Sequence, residues 1–91
     1  MENSTIDFYR FPKYRNADYL FTKEEIRHLV EEVKETYDEW NKRHFNRVNF
    51  GMEIMDVIHV AETLLRMHFS DPEIEEINIK VLEKNQKREY Y

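Results

Sequence analysis

Two pairs of acidic residues, each with helical spacing, are the residues of this chain best suited to chemistry. Glu32 and Glu35 lie three residues apart, and Glu53 and Asp56 repeat that spacing after the segment 36–52. Side chains three residues apart share one face of an α-helix, so each pair directs two carboxylates the same way. If the two helices pack as an antiparallel hairpin, the four carboxylates meet at one location.

A cluster of four carboxylates needs a positive partner. Two negative charges about 5 Å apart repel by roughly 3 kcal/mol at an effective dielectric of 20, and a surface salt bridge returns less than about 1 kcal/mol. Mg²⁺ and Mn²⁺ prefer oxygen ligands, carboxylates among them. The spacing is therefore compatible with a site for Mg²⁺, or Mn²⁺ in its place. The alternative is a solvated acidic face, with Glu53 favoured only by the helix dipole, and spacing alone does not decide between them.

Composition limits the fold and the partners. The chain has 91 residues, 41% of them hydrophobic and 14% aromatic, with one Gly and two Pro, so we predict one small all-α domain. The net charge of −5 weighs against nucleic acid as a partner. No apolar run is long enough to cross a membrane, and no signal peptide is visible. Without cysteine, a thiolate zinc site is excluded. We expect a cytoplasmic protein.

The chain divides into three parts around the acidic pairs. Residues 1–21 form an irregular aromatic arm, residues 22–69 a helical hairpin that bears the acids, and residues 70–91 a third helix with a polar tail. A capping box of Thr22 and Glu25 predicts a first helix that runs to about His44. A second helix is predicted from about Phe50 to Phe69, with its N-cap at Asn46 or Asn49. The segment 70–73, "SDPE", predicts the start of the third.

Apolar residues at helical spacing predict which faces are buried. The same arithmetic places His59, Glu62 and Arg66 on the solvent side of the second helix. One hairpin cannot cover all of its apolar residues, so we expect a homodimer or a dimer of dimers that completes a four-helix-bundle-like core. The predicted core residues are Ile26, Leu29, Val30, Val33, Tyr37 and Trp40 in the first helix, Val57, Val60 and Leu64 in the second, and Ile74, Ile77, Val81 and Leu82 in the third.

The N-terminal arm interleaves aromatic and basic residues between Phe8 and Tyr19. Such a segment can bind nucleotides or single-stranded nucleic acid by stacking and charge. It can also be an extended arm whose aromatic rings pack on the helices or on a neighbouring subunit. The short length and Pro12 favour the packing arm.

The two acidic motifs together resemble a known family. The segment 31–35, "EEVKE", matches E-E-x-x-E, and the segment 53–56, "EIMD", matches E-x-x-D. That pairing on successive helices resembles the signature of the MazG-like, all-α nucleoside triphosphate pyrophosphohydrolases. The continuation "DVIHVAETLLR", residues 56–66, looks like short MazG-like proteins of Gram-positive bacteria and their phages. The resemblance covers about Glu24 to Arg66, roughly half of the chain.

The resemblance implies a reaction and a set of site residues. A (deoxy)nucleoside triphosphate would be hydrolysed to monophosphate and pyrophosphate with Mg²⁺ bound. Glu32 and Glu35 would be catalytic, with Glu35 orienting the attacking water. Glu31 would contact the metal ligands rather than the metal itself. The implied metal ligands are Glu32, Glu35, Glu53 and Asp56, and the candidate cations for the nucleotide phosphates are Lys34, Arg47 and Arg66.

Two departures from the family pattern keep other functions open. Family members often carry a helix before the E-E-x-x-E helix, where this chain has the aromatic arm, and the part after Arg66 is short and acidic. One alternative is a MazG-like protein that binds or sequesters a nucleotide without turnover. The other is a helical interaction protein with no ligand, whose acidic residues face solvent.

Overall fold

Three α-helices make up the computed structural model, which describes residue 11 and residues 21–89. They are α1 (Thr22–Trp40), α2 (Arg47–His68) and α3 (Asp71–Lys87), and the described residues include no strand. The all-α prediction is therefore confirmed. No described helix combines the length and apolar character that a membrane span requires.

The three helix starts differ in how well local sequence predicted them. Ser70 and Glu73 form a capping box at the start of α3, with Pro72 in the first turn, as predicted. The side chain of Asn46 accepts the backbone N–H of Asn49 at 2.9 Å, which makes Asn46 the N-cap of α2. The capping box predicted at Thr22 is wrong. Phe21 is the N-cap of α1 and makes no side-chain cap hydrogen bond, since its ring has no acceptor. Thr22 is the first residue of the helix, and its hydroxyl pairs with His68 Nε2 at 2.8 Å.

The helices α1 and α2 form an antiparallel hairpin. The pair formed by Thr22 and His68 joins the first residue of α1 to the last residue of α2, and only residues 41–46 connect the two helices. α1 ends at Trp40, earlier than the predicted end near His44. Asn41, the C-cap, donates from its Nδ2 to the carbonyl oxygen of Tyr37 at 2.9 Å. This hairpin is the main packing interface of the described chain, and it aligns the acidic pairs of the two helices.

The face of α1 that packs toward α2 is not the apolar one that the sequence predicted. Glu25 and Glu39 are 3% and 6% exposed. With Glu32 they recur every seven residues, so they share one face. A helix can turn only one of two stripes toward a given neighbour, and here the acidic stripe is covered. The apolar stripe, in which each side chain is 49% to 67% exposed, consists of Ile26, Val30, Val33, Tyr37 and Trp40.

The apolar core of the described chain is very small. Val60 and Ile74 are its buried hydrophobic side chains, and Val57 and Leu64 are half-buried, which agrees with the predicted inner face of α2. Two predicted features are wrong. Val81 and Leu82 of α3 are about 40% exposed (39% and 42%). Glu62, placed by the sequence on the solvent side of α2, is 4% exposed, and its carboxylate pairs with the backbone N–H of Phe11 and with Arg66.

Candidate functional site

Three carboxylates meet where α1 crosses the first half of α2. Glu32, Glu35 and Glu53 each place one carboxylate oxygen within 4.8 Å of the others. Glu32 and Glu53 are half-buried, whereas Glu35 is exposed. The two glutamates of α1 reach this point because they lie one helical turn apart, and Glu53 reaches it across the hairpin. The structure thus brings together three of the four predicted metal ligands.

Two of these carboxylates are incompletely satisfied. Glu32 Oε2 and Glu53 Oε2 are buried and have no hydrogen-bond partner among the described residues. Burial raises the pKa of both carboxyls above the ordinary value of 4.5, and the charges of Glu35 and Asp56 raise the pKa of both further. An unpaired buried oxygen costs free energy unless a donor or a cation serves it. The cluster therefore favours a proton or a cation at these oxygens.

Asp56, the fourth predicted ligand, lies beside the cluster rather than within it. Its carboxylate is exposed and is not part of the set in which all oxygens lie within 4.8 Å of one another. Its charge still acts on the cluster, because it raises the pKa of Glu32 and Glu53.

His28 closes one side of the cluster, a role that the sequence reasoning missed. Its Nδ1 lies 3.1 Å from Glu25 Oε1 and its Nε2 lies 3.1 Å from Glu32 Oε1. Burial disfavours the charged imidazolium, but the hydrogen bonds to these carboxylates and their charges outweigh it, so the pKa of His28 is raised. Only the imidazolium can donate from both ring nitrogens at once. The spacing of residues 25, 28 and 32 was the available signal.

Among the three predicted phosphate-binding cations, Arg66 is paired with acids outside the cluster. Lys34 and Arg47 have exposed side chains. Arg66 pairs with Glu62 at 3.4 Å and with Asp71 at 2.6 Å. It lies ten residues beyond Asp56 on α2, which corresponds to about 15 Å along the helix axis. Arg66 is therefore engaged elsewhere, and this part of the site prediction is not supported.

Besides His28, which acts on Glu32, the charge of Lys42 also reaches the cluster. Its Nζ pairs with Glu39 Oε1 at 2.8 Å, and its charge lowers the pKa of Glu53, against the larger effects of burial and the neighbouring acids. The hydrogen bond to Glu39 raises the pKa of Lys42, with a smaller contribution from the charge of Glu53. The burial of Glu39, which holds the lysine near Glu53, could not be read from spacing.

The chemistry of the donor set fits a hard divalent cation. The three clustered residues offer carboxylate oxygens, two of which are buried without hydrogen-bond partners in the described chain, and His28 Nε2 is already paired with Glu32 Oε1. Oxygen-only sites suit Mg²⁺ and Mn²⁺ better than zinc or copper. The exposed carboxylate of Glu35 leaves the cluster open toward solvent and toward an incoming ligand.

Comparisons with known proteins add no relative. No family model matches the chain, and searches of curated proteins and of solved structures found no match.

Proposed function

We propose that this protein is a Mg²⁺-dependent pyrophosphohydrolase of (deoxy)nucleoside triphosphates, which releases a nucleoside monophosphate and pyrophosphate. The observation that supports the proposal most is the meeting of Glu32, Glu35 and Glu53, with buried oxygens on two of them that have no described partner. The E-E-x-x-E and E-x-x-D motifs, which resemble those of the MazG-like family, contain all three residues.

Each acid has a distinct part in this proposal. Glu32 and Glu53, being half-buried, would hold Mg²⁺ from the hairpin side, and Glu35 and Asp56 would hold it from the exposed side. Bound Mg²⁺ would neutralise phosphate oxygens and lower the pKa of a coordinated water. Glu35, as the exposed member of the set, is the carboxylate best placed to accept a proton from the attacking water.

Two basic side chains contribute to this proposal. His28 holds Glu32 in place through the 3.1 Å contact. When protonated, it would also reduce the repulsion among the carboxylates before a ligand binds. Lys42 is the cation that we assign to an incoming phosphate, because its charge already acts on Glu53. If Lys42 exchanged Glu39 for a phosphate oxygen, its ammonium group would keep a negatively charged partner.

Product analysis tests the proposal. Purified protein is incubated with each deoxynucleoside and nucleoside triphosphate in millimolar Mg²⁺, and pyrophosphate and monophosphate are quantified. We expect equimolar release of both from at least one nucleotide, with Glu53→Gln losing most of the rate. Glu24→Gln and Glu76→Gln, which change exposed acids outside the cluster, are the matched controls and should retain it. Release of inorganic phosphate alone, or no release, contradicts the assignment.

Nucleotide binding without turnover is the second candidate. It is favoured by the engagement of Arg66 with Glu62 and Asp71, which leaves the cluster with fewer cations than the sequence suggested. Phosphoryl transfer depends strongly on such cations, whereas binding through Mg²⁺ depends on them less. Retention of intact nucleotide on the protein in Mg²⁺, with no pyrophosphate released, would favour this candidate.

We also propose that two copies of the chain associate through the apolar stripe of α1. The stripe residues follow one another at intervals of four and three residues, which is the spacing of a helix–helix seam. At roughly half exposure and about 200 Å² per side chain, the five residues expose an area on the order of 600 Å². Soluble monomers rarely expose a contiguous apolar patch of more than a few hundred Å².

A second hairpin seated on this stripe would complete a four-helix bundle and supply the core that a single chain lacks. Light scattering at micromolar concentration tests the assembly, and we expect a multiple of the 11.4 kDa chain mass. A monomer of 11.4 kDa that melts cooperatively would contradict it.

A further inference from the structure

Three side chains on one face of α1 form a continuous series of contacts that ends at the acidic cluster. His28 Nδ1 lies 3.1 Å from Glu25 Oε1, and His28 Nε2 lies 3.1 Å from Glu32 Oε1. The three residues follow one another at intervals of three and four, so they are neighbours along the same face of the helix. Glu25 is therefore connected to a candidate metal ligand through the imidazole ring.

Glu25 supports the cluster without belonging to it. Its side chain is 4% exposed, and its second oxygen, Oε2, is buried without a hydrogen-bond partner among the described residues. It lies seven residues before Glu32, about 10 Å along the helix axis, and it is not a member of the set of clustered carboxylates. Its contact with His28 Nδ1 fixes the orientation of the ring.

The contact with His28 leaves Glu32 one oxygen for a cation. Oε1 faces the imidazole, whereas Oε2 is buried and has no partner among the described residues. A cation chelated by both oxygens would lie beside Oε1, and hence close to the ring that donates to it. A cation held by Oε2 alone lies farther from the imidazolium, which repels it. Ligation through one oxygen is therefore favoured at Glu32.

Ligation through one oxygen suits some divalent cations better than others. Ca²⁺ takes roughly six to eight oxygen ligands and often binds both oxygens of one carboxylate. Mg²⁺ is smaller, requires near-ideal octahedral geometry and usually keeps several waters, so it needs fewer oxygens from the protein. A glutamate that offers a single oxygen therefore costs Ca²⁺ a ligand and costs Mg²⁺ little.

We propose that Glu25 and His28 restrict Glu32 to one coordinating oxygen, and that the cluster thereby selects Mg²⁺ or Mn²⁺ over Ca²⁺. Both are positioning residues, because they act on the cation through Glu32. Residues that support a metal ligand in this way commonly change metal affinity when they are replaced. The inference rests on the proposed function, which makes the cluster a cation site.

The experiment compares two cations of equal charge on the full chain without nucleotide. Dissociation constants of Mn²⁺ and Ca²⁺ are measured by calorimetry for wild type, His28→Ala, His28→Gln and Glu25→Gln, and circular dichroism checks that each variant is helical. Loss of the imidazolium charge affects both divalent ions alike, so it cancels in the ratio of the two constants. His28→Gln keeps an N–H donor for Glu32. Glu24→Gln changes an exposed acid of the same helix and is the matched control.

We expect wild type to bind Mn²⁺ more tightly than Ca²⁺, and His28→Ala and Glu25→Gln to shift the ratio about tenfold toward Ca²⁺. His28→Gln and Glu24→Gln should keep the wild-type ratio. An unchanged ratio in both His28→Ala and Glu25→Gln, even if both constants change, overturns the inference and leaves the pyrophosphohydrolase proposal standing. If wild type binds neither cation, the proposed function fails and the inference fails with it.

Discussion

Replacing Glu53 by Gln separates the metal hypothesis from a merely acidic surface. Glu53 Oε2 is buried without a described partner, and burial together with the charges of Glu35 and Asp56 raises the pKa of Glu53. A pair of charges about 5 Å apart repels by roughly 3 kcal/mol at an effective dielectric of 20, and solvent reduces this for the exposed partners. We therefore expect the metal-free Glu53→Gln protein to be about 1 kcal/mol more stable than wild type.

The metal response should change in the opposite direction. A cation present at about 100 times its dissociation constant stabilises the native wild type by about 2.7 kcal/mol. For a chain of this size 1 kcal/mol corresponds to roughly 4–8 °C in Tm. Millimolar Mn²⁺ should thus raise the wild-type Tm by roughly 10–20 °C, and Glu53→Gln should lose most of that increase while starting some 4–8 °C higher.

Differential scanning fluorimetry in EDTA and in Mn²⁺ at one fixed protein concentration measures both effects. The concentration is held constant because association also shifts Tm. Glu24→Gln removes an exposed acid from the same helix as Glu32. It should change the free energy of unfolding by no more than about 0.5 kcal/mol, the range usual for surface changes, in EDTA and in Mn²⁺ alike. Identical wild-type melting in EDTA and in Mn²⁺, or an equal Mn²⁺ response in Glu53→Gln, would refute the reasoning.

Three further predictions follow from the same structure. Metal-free wild type should lose stability as pH rises above 4.5, because the raised pKa of Glu32 and Glu53 lets the folded state keep protons that the unfolded chain has released. Urea titrations at several pH values should show a smaller loss of stability in Glu53→Gln. Ser70→Ala should lower stability by about 1 kcal/mol through loss of the α3 cap, seen as a lower Tm. Val33→Glu, on the exposed stripe of α1, should shift light scattering to the monomer mass, and an unchanged mass would place the interface elsewhere.

Local signals in the sequence were sufficient to predict three helices, the caps of α2 and α3, and part of the site. The Ser70 capping box and the Asn46 cap each depend on residues within three positions, so they can be read from sequence. The meeting of Glu32 and Glu35 with Glu53 follows from spacing plus a hairpin, and only these two assumptions were needed. Both are short-range properties of amphipathic helices joined by a short connection.

The same reasoning could not predict which face of α1 packs on α2, or that Glu62 is buried. Periodicity identifies an apolar stripe and an acidic stripe, but it does not say which of them faces the neighbouring helix. Glu62 is buried through contacts with residue 11 and, by way of Arg66, with Asp71, and helical arithmetic on α2 alone contains neither. Glu62, which the sequence places on the solvent side of α2, is therefore buried, and Glu39 of α1 is buried as well.

The central claim is that the acids of the two motifs act as one unit on a nucleotide, and double-mutant kinetics tests it most directly. Pyrophosphate release in Mg²⁺ is measured for wild type, Glu32→Gln, Glu53→Gln, Asp56→Asn and the double variants. If the acids share one cation, each single change removes most of the turnover and each double variant is scarcely slower than the singles. Small additive losses, or wild-type activity in Asp56→Asn and Glu53→Gln, would contradict the account.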